Sequence, residues 1–122
     1  MIRLIRNLLG RLLLAVDWLT RPTLPQRSAE AQATINLETE RLALYQFRMC
    51  PFCIKTRRAM RRLGLEVQQR DALHDPTHRQ RLQQEGGQLK VPCLAIEDGP
   101  QTRWMYESND IIAYLEQRFS GR

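Results

Sequence analysis

Two thiols three residues apart, in Cys50-Pro51-Phe52-Cys53, stand where an apolar run, Leu42 to Phe47, gives way to a helical pattern. Cysteines at that spacing close a small-ring disulfide. A cysteine at a helix N-terminus also has its thiolate stabilised by unpaired backbone N–H groups and by the helix dipole. The expected chemistry is thiol-disulfide exchange, with Cys50 as the attacking nucleophile and Cys53, one turn on, as the resolving thiol of a redox-active disulfide. Pro51 suits the first helical turn, where a missing N–H costs nothing. Arg48, two residues upstream, adds a positive charge that favours the thiolate. The same spacing is half of a zinc site, but the other ligand candidates, Cys93, His74 and His78, make no second pair of ligand spacing. Redox chemistry is therefore preferred, and no metal is expected.

The remaining composition narrows the classes further. The chain has 122 residues, 43% of them hydrophobic, a net charge of +6 and three cysteines. That length supports one domain with an appendage. The excess of arginine comes without an aromatic-interleaved basic motif or zinc-finger spacing, so nucleic acid is not an expected partner. Lys55, Arg57, Arg58, Arg61 and Arg62 share one predicted helix with Ile54, Ala59, Met60 and Leu63 and are read as its solvated side, a side that would also attract phosphates, acidic partners or anionic lipid. Three cysteines, two of them adjacent in space, are not a disulfide scaffold. They fit a reducing compartment, and the cytoplasm is expected.

Three zones position these groups: residues 1–21, a linker at 22–39 and a compact domain at 40–122. In the first, Ile2, Ile5, Leu8, Leu9, Leu12, Leu13, Val16 and Leu19 fall on one face of a helix, with Arg3, Arg6, Asn7, Gly10 and Asp17 opposite; Leu14 and Trp18 break the pattern. Only five uncharged residues separate Arg11 from Asp17, so the segment reads as an amphipathic interfacial helix and not as a membrane span or a signal peptide. A membrane surface and packing on the domain, or on a second copy of it, are both open to this face. The linker carries Pro22, Pro25, Ser28 and small or polar residues with little to bury.

The compact zone alternates. Strands are expected at 41–47, 65–70, 93–96 and 103–106. Helices are expected from Pro51 to Leu63, from Asp75-Pro76 to Glu85, and from a Ser108 N-cap to about Phe119, in the order βαβαββα. Cys93 alternates with Leu94 and is read as a small buried core residue, with a second resolving thiol as the alternative.

A first strand ending in Cys50-Pro51-Phe52-Cys53, a Val91-Pro92 before the third strand, and Glu107-Ser108 opening the last helix together resemble the glutaredoxins and the N-terminal domain of glutathione transferases, over about residues 41–119. The resemblance implies a thioredoxin-like α/β fold, with a four-stranded mixed sheet and flanking helices, preceded here by the N-terminal amphipathic helix. It also implies a glutathione site. Pro92 matches a cis-proline facing the redox centre, so that the backbone of Val91 pairs with the cysteinyl backbone of glutathione. Glu107 and Ser108 match the pair that holds the γ-glutamyl end. Arg48 and Phe52 complete the implied contacts, at positions where glutaredoxins commonly have Lys and Tyr. Glu107-Ser108-Asn109 is closer to the transferases, but the sequence continues into no helical second domain, which argues against conjugation as the main activity.

The resulting expectation is a glutathione-dependent thiol-disulfide oxidoreductase, with glutathione as co-substrate and disulfide-bearing or glutathionylated proteins as clients, cytoplasmic and peripheral on the inner membrane face. Two rivals are a carrier in which Cys50 thiolates and glutathiones of two chains hold a [2Fe–2S] cluster, and a glutathione-binding adaptor without turnover.

Overall fold

The computed structural model describes residues 1–122. Two helices, α1 (Ile2–Leu19) and α2 (Ala29–Thr39), precede β1 (Leu42–Gln46), α3 (Pro51–Arg62), β2 (Gln68–Asp71), α4 (Pro76–Gln84), β3 (Cys93–Asp98), β4 (Gln101–Tyr106) and α5 (Ser108–Phe119). The sheet order is β2-β1-β3-β4, with β1 parallel to β2 and antiparallel to β3, and β3 antiparallel to β4. This is a thioredoxin-like α/β fold with an added N-terminal helix.

Every residue of β1 is buried because the strand is covered on both faces. Leu42 and Leu44 point into the larger core with Ile35, Met60, Leu94, Ile111 and Phe119, between the sheet and α2, α3 and α5. Ala43 and Tyr45 point the other way, onto Leu82 of α4 and Cys93. Alternation along β3 sorts Leu94 and Ile96 to the first face and Cys93 and Ala95 to the second. With both faces covered, β1 is held rigidly and delivers the chain at Phe47 to the mouth of α3.

The segment read as a linker is largely built into the fold. Ser28 caps α2 by accepting from the Ala31 N–H at 3.1 Å, and Ile35 enters the main core at 1% exposure. Ahead of it, Pro25 and Arg27 lie against Gly64, whose φ of +69° ends α3. A Cβ on Gly64 would come within 2.8 Å of the Pro25 ring, so glycine is required twice over. Gln32 donates to the Gly64 carbonyl at 2.9 Å. The second strand also starts later than expected: Leu65 and Val67 turn into the core, and pairing with β1 begins at Gln68.

Lys55 and Arg62 are exposed as the solvated-face reading expects, but Arg57, Arg58 and Arg61 are half-buried. Arg58 donates to the Asp17 carboxylate at 3.0 Å and to the Thr20 carbonyl at 2.9 Å, and Arg61 donates to the Pro22 carbonyl at 2.8 Å. Arg58 thus supplies donors and positive charge at the C-terminal end of α1, where helix carbonyls are unpaired. Gly10, Leu14 and Asp17, one stripe at helical spacing, form the docking side of α1. Gly10 is buried, and a Cβ there would meet the Met49 sulfur at 2.6 Å. Leu14, which broke the amphipathic pattern, does so because it belongs to this stripe, and it is half-buried. The broad apolar face of α1 remains bare, and no helix is long and apolar enough to cross a membrane.

Candidate active site

Cys50 is the N-cap of α3, in extended backbone (φ −72°, ψ 126°), with Pro51 in the first turn behind it. Its backbone N–H bonds to the Phe47 carbonyl at 3.2 Å and its carbonyl accepts from Ile54 at 2.9 Å, which fixes the residue at the helix mouth. The thiol is half-exposed, whereas Cys53, one turn on, is fully buried. Burial pushes the Cys53 thiol up to about 12, and the neighbouring Cys50 sulfur, whose charge would oppose a second anion, adds to the rise. The Phe47 N–H, 3.5 Å from the Cys53 sulfur, offsets part of it. All three cysteines are free thiols. The two sulfurs of the motif are therefore unequal, one reachable and one held protonated behind it.

Arg57 places a positive charge that acts on both of these sulfurs. Its guanidinium is half-buried, donates to the Gln46 side chain and to the Arg48 carbonyl at 2.8 Å, and interacts electrostatically with both Cys53 and Cys50. Burial of that cation lowers its affinity for a proton, which the cysteines partly restore. The Arg48 side chain, expected in this role, is exposed and lines a cleft with Arg57, Asp17 and Arg21. That cleft, about 940 Å³, lies between α1, α3 and β2 and includes none of Cys50, Val91, Pro92, Glu107 or Ser108. Sequence reasoning missed Arg57 because it counted the residue with the solvated arginines. Its place two turns into a helix that begins at Cys50 was the available signal.

The other implied residues gather as follows. The Val91–Pro92 peptide bond is cis, with Pro92 buried and Val91 half-buried. None of the loop and turn backbone hydrogen bonds involves Val91. Phe52 is 61% exposed in the first turn of α3, beside Cys50. Glu107 rather than Ser108 is the N-cap of α5, at φ +71°, the one non-glycine residue in the left-handed region, and its side chain makes no capping bond. Its carboxylate pairs with Lys90, from the loop that also carries Val91. Ser108 follows as the first residue of α5 and is largely buried. Lys55 of α3 donates to Asn109 at 2.5 Å, tying the start of α5 to α3.

Cys93 belongs to the second core with Tyr45, Ala72, Leu82 and Ala95. Burial pushes its thiol up to about 12, and a hydrogen bond with Tyr106 opposes the rise. Tyr106 in turn donates to the Gly86 carbonyl at 2.9 Å. His74 and His78 pair with Asp71 and Asp75 around the start of α4, and no three His, Cys, Asp or Glu side chains converge on one point.

Residues 44–122 match the family model of the glutathione S-transferase N-terminal domain, and the chain belongs to that family. It is thus a glutathione-related protein of thioredoxin fold. No curated protein matches the chain, and no solved structure does.

Proposed function

We propose that the chain is a glutathione-dependent thiol-disulfide oxidoreductase acting through Cys50. The observation that carries this reading is the asymmetry of the Cys50-Pro51-Phe52-Cys53 centre: an accessible sulfur at a helix N-terminus with a buried, protonated one behind it. In the first step the Cys50 thiolate attacks one sulfur of a client disulfide or glutathionylated thiol. The S–S bond breaks, Cys50 becomes part of a mixed disulfide, and the departing thiolate takes a proton from solvent. A glutathione thiolate then attacks the mixed disulfide on Cys50 or on its partner sulfur. For a glutathionylated thiol, Cys50 takes the glutathionyl sulfur and one incoming glutathione leaves with it as glutathione disulfide, whereas a client disulfide takes its two electrons from two glutathione molecules in succession.

Cys53 competes with glutathione for the resolving step, but its thiol sits far above neutral pH and has little thiolate to offer. Resolution by glutathione is therefore the main route, and glutathionylated thiols are the favoured substrates. The backbone of Val91 serves the cysteinyl segment of glutathione, Phe52 flanks it, and Glu107 and Ser108 hold the γ-glutamyl end at the N-terminus of α5. Such chemistry needs a compartment rich in reduced glutathione, in keeping with the cytoplasm. The test is turnover of a glutathionylated peptide with glutathione, using single cysteine variants: activity must depend on Cys50 and survive loss of Cys53.

A further inference from the structure

We propose that the bare face of α1 seats the chain on an anionic lipid bilayer as one rigid unit, with α3 and Cys50 held on the side of α1 away from the lipid. The docking stands apart from the redox reading.

Ile5, Leu8, Leu9, Leu12, Leu13 and Val16 form one side of α1 and remain 41–59% exposed. Exposed singly such residues are ordinary, but a continuous stripe along a helix that has already spent its opposite side on α3 is an unpartnered surface. The charges around the stripe indicate what covers it. At 100° per residue Arg6 and Arg11 stand on its two flanks, and Asp17, the only acidic residue of α1, is on the docking side in an ion pair with Arg58. A second copy of the chain would bring arginine against arginine with no carboxylate between them. Lipid phosphates reverse that sign, and arginine stems of this length reach from an apolar stripe up to the headgroups.

The attachment of α1 decides how the domain sits once docked. The contacts of Gly10 with Met49 and of Asp17 with Arg58 set α1 alongside α3 and in the same direction. The eight residues Ile2–Leu9 therefore project past the redox end of α3, by about 12 Å at the usual helical rise. Pro25 against Gly64 and the Gln32 bond to the Gly64 carbonyl leave no free tether between α1 and the domain. Cys50, next to Met49, is thus held at a set height above the bilayer.

Flotation of the full chain with phosphatidylcholine vesicles, with and without phosphatidylglycerol, tests this without any turnover, so the redox reading can fail while docking holds, and the reverse. The chain is expected to float with the anionic vesicles, and salt is expected to weaken the binding. Leu8→Glu with Leu12→Glu, both at exposed positions, is expected to lower partitioning at least about tenfold. Arg6→Gln and Arg11→Gln are each expected to lower it about fivefold. An unchanged urea unfolding midpoint establishes that the Leu variant is folded. Failure to float, equal flotation of the Leu variant, or a dimer in solution that the Leu variant dissolves would each overturn the proposal.

Discussion

Arg57 donates from Nη2 to the Arg48 carbonyl at 2.8 Å, tying the second turn of α3 to the loop that leads into Cys50. One cation thereby fixes the approach to the nucleophile and interacts electrostatically with both sulfurs of the motif.

Replacing Arg57 with Met is expected to slow iodoacetamide labelling of Cys50 at neutral pH by about fivefold, the loss of about 1 kcal/mol of charge pairing. Arg48→Met is expected to leave the rate nearly unchanged. Labelling kinetics with peptide mapping compare the two directly, and slowing by Arg48→Met alone would place the charge on Arg48 instead.

The buried thiols predict an alkaline limit to stability. Cys53 and Cys93 are each pushed up to about 12 by burial, from an ordinary value of 9.0. Between those values the unfolded chain has released protons that the folded chain still holds, so stability falls as pH rises, by up to about 1.4 kcal/mol per pH unit for each thiol. Reductant-protected urea unfolding is expected to show this decline, with Cys93→Ala removing about half of the slope at the start of the range, before Tyr106, raised from 10.0 to about 12, also contributes. A flat profile would mean that these sulfurs are not desolvated.

Ile35→Ala is expected to destabilise the chain by about 2–5 kcal/mol, since it removes a fully enclosed side chain from the main core. Leu37→Ala, 65% exposed on the same helix, is expected to change little. Urea unfolding of the two variants measures whether α2 belongs to the folded unit.

Why α2 was invisible in the sequence, while the rest of the fold was not, follows from what each element buries. Strands β1 and β3 and helices α3 and α5 bury long apolar sets whose period can be counted, and the cysteine motif and the Val91-Pro92 pair lie at their ends. In contrast, α2 places one large apolar side chain, Ile35, in the core and turns Leu37 outward, so it has no stripe to detect. Its Ser28 cap followed by Ala, Glu and Gln was the legible signal. The shift of the α5 cap from Ser108 to Glu107 depends on a left-handed backbone angle that side-chain preferences do not encode for glutamate. The roles of Arg57 and Arg58 depend on tertiary placement, which gives a surface-patterned arginine a carbonyl to hold.

Ser108→Ala is expected to raise the glutathione concentration for half-maximal turnover by about tenfold, the loss of one charge-assisted hydrogen bond of about 1.5 kcal/mol. Glu107→Gln should act in the same direction. Lys90→Met should act oppositely and weakly, because it frees the Glu107 carboxylate from its exposed partner. Steady-state kinetics in glutathione separate the three, and no change in any of them would remove this end of the site.

The account rests most heavily on the inequality of the two sulfurs, and turnover of a glutathionylated peptide by Cys50→Ser and Cys53→Ser variants measures it most directly. Cys50→Ser is expected to be inactive, whereas Cys53→Ser is expected to keep most of the wild-type rate, because glutathione resolves the mixed disulfide on Cys50. A Cys53→Ser variant as inactive as Cys50→Ser would contradict the account.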